Sequence, residues 1–157
     1  MRFNNKESGL SIIIDEKLLT KLYSTSLDLY PCEFGGLLIG YYSQDKKELN
    51  IINTLLPKEY SSTKYNFSRG IKGLKTQLRE LYKKSPSQYY VGEWHSHPDN
   101  EPVPSGTDLN AFQEIVAHER VLIENPILLL LGVDTSSCNY IFYVYYDQVF
   151  LKYEKEG

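Results

Sequence analysis

An α/β fold, a mixed β-sheet flanked by helices, is predicted by three observations. Strand-like and helix-like segments alternate along the chain, a pattern that builds a sheet with helices packed on it. Strand pairs joined by short polar turns occur in both halves, which adds antiparallel hairpins. No repeat, low-complexity segment or linker interrupts the pattern, so residues 1–157 are expected to form a single domain.

Met1 to Gly9 is polar, and Leu10 to Ile14 is the first expected strand. Glu16 to about Leu29 carries Leu18, Leu19, Leu22 and Tyr23 at helical spacing, with Pro31 marking the end. Gly35-Gly36 opens a strand over Leu37 to Tyr42, and a polar turn leads to a second strand, Leu49 to Leu56. Pro57 to Gly70 reads as a polar loop. Ile71, Leu74, Leu78, Leu81 and Tyr82 form an amphipathic helical stripe. Tyr89 to His95 is a buried strand, and Leu109, Phe112, Ile115 and Val116 line one face of the next helix. Ile127 to Val133 and Asn139 to Tyr153 supply the last strands, with a turn at Asp147-Gln148.

The chain is long enough to bury a core without disulfide staples. Its net charge is −3, and Lys46-Lys47 and Lys83-Lys84 are pairs rather than patches, so no nucleic-acid partner is expected. Cys32 and Cys138 build neither a disulfide framework nor a zinc ribbon. No apolar run approaches the roughly 20 residues of a membrane span, and no signal-peptide pattern precedes the first strand. No membrane association is expected, and the cytoplasm is the expected compartment. The 14 tyrosines fit compositional bias plus strand propensity better than a recognition surface.

The chemistry concentrates between His95 and Asp108. Side chains two apart on a strand share a face, with Cβ atoms roughly 6.5 Å apart, so His95 and His97 can turn toward one cation. Asp108 supplies a third ligand if the loop holding Pro98, Pro102 and Pro104 folds back. Two histidines and a carboxylate leave a fourth position for water, the arrangement of a catalytic zinc (Zn2+) rather than a structural one. A lone strand histidine is more often a packed residue, but two on one face with an acid at the next helix start form a pattern. Ser105 and Asp108 also read as a helix start. His118 would lie roughly 15 Å from Asp108 along that helix and reads as a surface residue.

His95-Ser-His97-Pro98 followed by Pro102-x-Pro104-Ser105-x-x-Asp108 resembles the signature of the JAMM (MPN-plus, Mov34/JAB) metalloproteases. That family carries a catalytic glutamate just before a glycine-containing strand, and Glu33-Phe-Gly35-Gly36-Leu37-Leu-Ile-Gly40 is similar to that segment. The resemblance spans the first strand through the helix after Asp108. It implies the JAB/MPN fold, related to cytidine deaminases, and zinc-dependent hydrolysis of a peptide or isopeptide bond. His95, His97 and Asp108 are then the metal ligands and Glu33 the general base. Ser105 becomes the oxyanion donor.

Spacing leaves a second candidate base, because Glu93 shares a strand face with His95; it could instead orient a histidine. Other zinc classes fit poorly. Asn100 stands where a metallo-β-lactamase motif needs histidine, and Gly35 occupies the second cysteine position of a deaminase Pro-Cys-x-x-Cys. Nothing near Cys32 would activate its thiol. A non-catalytic scaffold is disfavoured because every ligand is retained.

The short chain and the stretch Tyr90-Val-Gly-Glu-Trp94 resemble bacterial stand-alone JAB proteins. Some of these lie in operons with ubiquitin-activating-like enzymes, including anti-phage CBASS systems. The implied partner is a protein substrate with a ubiquitin-like or conjugated C-terminal tail, and trimming of a sulfur-carrier precursor is the runner-up. Tyr60 to Arg69 is a candidate groove wall, with Asn66, Phe67 and Arg69 as contacts, although a plain surface loop also fits.

Overall fold

The computed structural model describes residues 1–118 and 121–157. Its strands and helices follow in the order β1 (Arg2–Asn5), β2 (Leu10–Ile14), α1 (Glu16–Asp28), β3 (Gly35–Tyr42), β4 (Glu48–Leu55), β5 (Tyr60–Ser62) and β6 (Phe67–Arg69). After these come α2 (Leu74–Tyr82), β7 (Tyr89–Pro98), α3 (Gly106–Ala117), β8 (Ile127–Val133), β9 (Cys138–Tyr146), β10 (Val149–Lys152) and β11 (Glu154–Lys155). The main sheet has the order β10-β9-β8-β7-β3-β4-β2-β1-β11. It is mixed as expected: β2 runs parallel to β4 and β7 parallel to β8, while the hairpins β3–β4 and β9–β10 are antiparallel.

Alternating side chains feed two opposite faces. Leu38 of β3 and Leu129 and Leu131 of β8 join Leu18, Leu19 and Leu22 of α1 in one cluster. Leu37 and Ile39 turn the other way to Leu74 and Leu81 of α2, and Leu128 and Leu130 meet Phe112 of α3. One helix therefore covers one face of the sheet and two helices cover the other.

Five local readings change. The polar start contains β1, whose Phe3 is buried, because β1 pairs with β2 and also with β11. The stretch from Val149 to Lys155 pairs with β9 in its first half and with β1 in its second. One C-terminal segment thus holds both ends of a curled sheet and covers edges that would otherwise be open. The Pro57 to Gly70 loop contains a small separate hairpin, β5–β6. The amphipathic stripe shortens, since Ile71 and Tyr82 are exposed and α2 starts only after Gly73. Finally, β7 runs through to Pro98, so both histidines lie inside a strand.

A bulge sets the phase of β7. Its register with β3 slips between Leu38↔Gly92 and Ile39↔Tyr90, leaving Val91 unpaired in the ladder. Gly92 has φ +155°, and a Cβ there would meet the Ile127 carbonyl oxygen. Val91 and Trp94 consequently share the α1 face. Glu93, His95 and His97 turn toward the face that carries α2 and α3.

Candidate metal centre

His95 and His97 project from β7 where it is hydrogen-bonded on both sides, by β3 at Gly35↔His95 and by β8 at His95↔Leu130 and His97↔Gly132. The backbone beneath the pair is thereby held rigid. Gly35 is part of the fit: a Cβ there would stand 2.2 Å from the Trp94 carbonyl oxygen and 2.8 Å from His95 Cβ. Gly35→Ala is expected to destabilise by about 1–3 kcal/mol, as overpacking does, and to lower metal occupancy. Gly106→Ala is the control, because nothing lies within 4 Å of its Cβ position. Thermal melts and metal analysis of the two variants check this; equal behaviour would remove the argument.

Asp108 reaches the histidines from the first turn of α3. Ser105 caps that helix: its Oγ accepts from Asp108 N at 3.1 Å, while Ser105 N donates to Asp108 Oδ2 at 2.7 Å. The reciprocal pair locks the Asp108 rotamer. His95 Nε2 lies 3.1 Å from Asp108 Oδ1, His97 Nε2 lies 3.3 Å from Oδ2, and the two Nε2 atoms are 3.1 Å apart. A tetrahedron with bonds of about 2.0–2.1 Å has edges of about 3.3–3.4 Å, so the spacing of the two Nε2 atoms, and of each from its nearer Asp108 oxygen, is close to that of a zinc-sized site. These three side chains could hold a metal ion. His97 Nδ1 faces the Glu101 carbonyl oxygen at 3.2 Å, so it carries the proton and leaves Nε2 for a cation.

The charges agree with this grouping. Burial opposes ionisation of Asp108, yet its contacts with His95 and His97 hold its carboxyl well below the usual range. Burial likewise works against charge on His97, and Asp108 overcomes it, raising the imidazole above its ordinary value.

Glu33 stands outside the ligand group but within its field. Burial raises its carboxyl above the ordinary range, a shift that His95 and His97 offset only in part. Its backbone is held from two directions. Phe34 N donates to Ser96 Oγ at 3.0 Å and Ser96 N donates to Phe34 O at 2.8 Å, so the residue between the two histidines ties down the segment beside Glu33. Glu33 N donates to Thr63 O at 2.8 Å, and Ser62 Oγ donates to Glu33 O. Sequence reasoning passed over Ser96; its one signal was a polar residue at an inward position of a buried strand.

Glu93 does sit on the face of His95 and His97, but it is engaged. Arg69 donates to it through Nε at 3.0 Å and Nη2 at 2.5 Å, with both side chains largely buried. Phe67 packs on Phe34, with ring centroids 5.5 Å apart. Of the three residues named for a groove wall, Phe67 and Arg69 therefore turn inward, and only Asn66 is exposed. His118 is the exposed C-cap of α3, at the far end from Asp108. Cys32 lies in the turn after α1, and burial pushes the Cys138 thiol up to about 11. No helix among the described residues is long and apolar enough to cross a membrane.

The sequence profile described as prokaryotic homologs of the JAB domain matches residues 15–142, which takes in Glu33, the histidines, Ser105 and Asp108. The chain belongs to the prokaryotic JAB family. A CD-NTase/cGAS isopeptidase from Enterobacter hormaechei is 33% identical over 135 residues, spanning 85% of this chain and 74% of the relative. A protein of the same name from Pseudomonas aeruginosa is 31% identical over 91 residues, 57% of this chain and 56% of the relative. A Desulfitobacterium hafniense protein solved in solution superposes with a TM-score of 0.69 over 90% of this chain and 88% of that one. At 16% identity that match speaks for the shared fold alone.

Proposed function

We propose that this chain is a zinc-dependent isopeptidase. Its substrate bond lies at the C-terminal tail of a ubiquitin-like or conjugated protein, and its setting is a cytoplasmic, CBASS-like anti-phage conjugation system. The observation that carries the reading is the cluster of His95, His97 and Asp108, with the two Nε2 atoms 3.1 Å apart and each 3.1–3.3 Å from an Asp108 oxygen, and with the half-buried Glu33 carboxylate in their field. The shared name of the relatives supports a conjugated CD-NTase as the substrate class.

His95, His97 and Asp108 would hold the zinc. When bound, zinc acidifies a water toward a pKa of about 7 and polarises the scissile carbonyl. Glu33 takes a proton from the attacking water and returns it to the leaving amine, the work of a positioned carboxylate that is not itself a ligand. Ser105 Oγ accepts from Asp108 N, so its own hydroxyl proton remains available to the developing oxyanion. Such a donor is worth about 2.7–4 kcal/mol in other hydrolases. An extended tail would reach these groups beside the exposed tip of the β5–β6 hairpin, where Tyr65 and Asn66 face outward.

The test uses fusions that join an acceptor protein through candidate C-terminal tails. Cleavage is expected with zinc, to stop with EDTA, to return on adding zinc, and to resist thiol reagents. Absence of cleavage of any peptide or isopeptide under every zinc condition would remove the peptidase reading and favour a scaffold.

A further inference from the structure

The β5–β6 hairpin lies outside the main sheet. An isolated two-stranded hairpin is marginal in water, so its position depends on what anchors it. Three contacts do so. At its base, the Arg69 guanidinium is clasped by Glu93 on the metal strand, through two hydrogen bonds. Along its length, Tyr60 and Phe67 pack on Phe34 with centroids 5.0 and 5.5 Å away. At its tip, Lys64 approaches Asp99 at 3.6 Å, an exposed pair of little strength.

The strong anchor is the buried one. Removing two charges from water is costly, and a fork-to-carboxylate pair of this kind holds only one geometry. A slip of one residue in either hairpin strand would turn Arg69 away from Glu93. The opposite end of the same hairpin grips Glu33: Ser62 Oγ donates to Glu33 O, and Thr63 O accepts from Glu33 N.

We propose that the β5–β6 hairpin is a clamp that positions Glu33, with Ser62 and Thr63 as its jaws and the Arg69–Glu93 bridge as its anchor to the metal strand. Ser62 and Arg69 are positioning residues that act through Glu33 and do not touch the reacting atoms. The kinetic part of this proposal rests on Glu33 being the base.

Two variants test it. Ser62→Ala loosens the grip without disturbing the buried pair, and Arg69→Met combined with Glu93→Gln releases the anchor without stranding a charge. Each is expected to keep one equivalent of zinc, leave KM unchanged and lower kcat about 10–100-fold, the range found for groups that orient a reacting centre. In a Glu33→Gln background neither should cost anything further, because residues acting as one unit are non-additive. Losses that persist in that background, or that appear in KM, would make the hairpin a substrate wall and overturn the clamp.

Amide hydrogen exchange supplies a reading independent of turnover. The Glu33 amide should exchange faster in both variants, while amides in the centre of β8 stay protected. Unchanged exchange at Glu33 overturns the clamp even where kcat falls. Faster exchange in a protein whose Glu33→Gln form keeps full activity would instead leave the clamp standing and remove Glu33 as the base.

Discussion

Glu33→Gln is expected to keep its zinc and fold and to lose about 10²–10⁴-fold in kcat, the usual contribution of a positioned general base. The amide matches the carboxylate in shape, and the hydrogen bonds that hold this segment use the Glu33 and Phe34 backbone rather than the side chain. Only proton transfer is removed. Metal analysis, melting temperature and steady-state cleavage of one fusion substrate decide the matter; full turnover would strike Glu33 from the mechanism. Glu93→Gln is the comparison. It weakens the bridge to Arg69, so its first effect should be a lower melting temperature, with a smaller loss in kcat. A loss as large as that of Glu33→Gln, with the hairpin undisturbed, would transfer the base to Glu93.

Asp108→Ala should abolish activity by releasing the metal, with an affinity loss exceeding the roughly 10–100-fold that follows removal of an outer-shell partner. The side chain has a second task, because its Oδ2 accepts from Ser105 N and caps α3. Loss of that half of the capping box weakens the start of α3 even without metal, while Ser105 still caps it. Asp108→Asn separates the two effects, since an amide oxygen can still cap while the anionic ligand is gone. Zinc at a thousandfold excess over its Kd should stabilise the unmodified protein by about 4 kcal/mol, seen as a rise in melting temperature. Neither variant should show that rise at the same zinc concentration. An Asp108→Ala protein that binds zinc as tightly as its parent would exclude Asp108 from the ligand set.

The His95–His97–Asp108 group, which could hold a metal, was readable because each of its parts is local. His95 and His97 obey the two-residue period of a strand, and Asp108 sits at the capping distance from Ser105 at a helix start. The supports around Glu33 were not readable in the same way. Ser96 to Phe34, Thr63 to Glu33 and Arg69 to Glu93 join residues distant in sequence, and no periodicity announces such pairs. Arg69 and Phe67 looked like surface contacts because they fall in a polar stretch, yet the hairpin turns both inward. The first strand was hidden for a related reason. Its pattern is polar apart from Phe3, and it becomes a strand because β11 arrives from the other end of the chain.

By itself, the sequence determined the alternation of strands and helices, the hairpin turns, the capped start of α3 and the three side chains that could hold a metal. Most of these rest on interactions within a few residues, where propensity and spacing suffice; Asp108 meets the histidines only because the loop between them folds back. Only the tertiary structure decided that Glu93 is clasped by Arg69, that the β5–β6 hairpin grips Glu33, and that one C-terminal segment holds both ends of the sheet. It also decided the phase of β7, where the bulge at Val91 turns Val91 inward with Trp94 while Glu93 and the histidines face the other way. Those outcomes depend on which distant strand arrives alongside, and burial and hydrogen-bond satisfaction across the assembled sheet select among local options that the sequence leaves nearly equal.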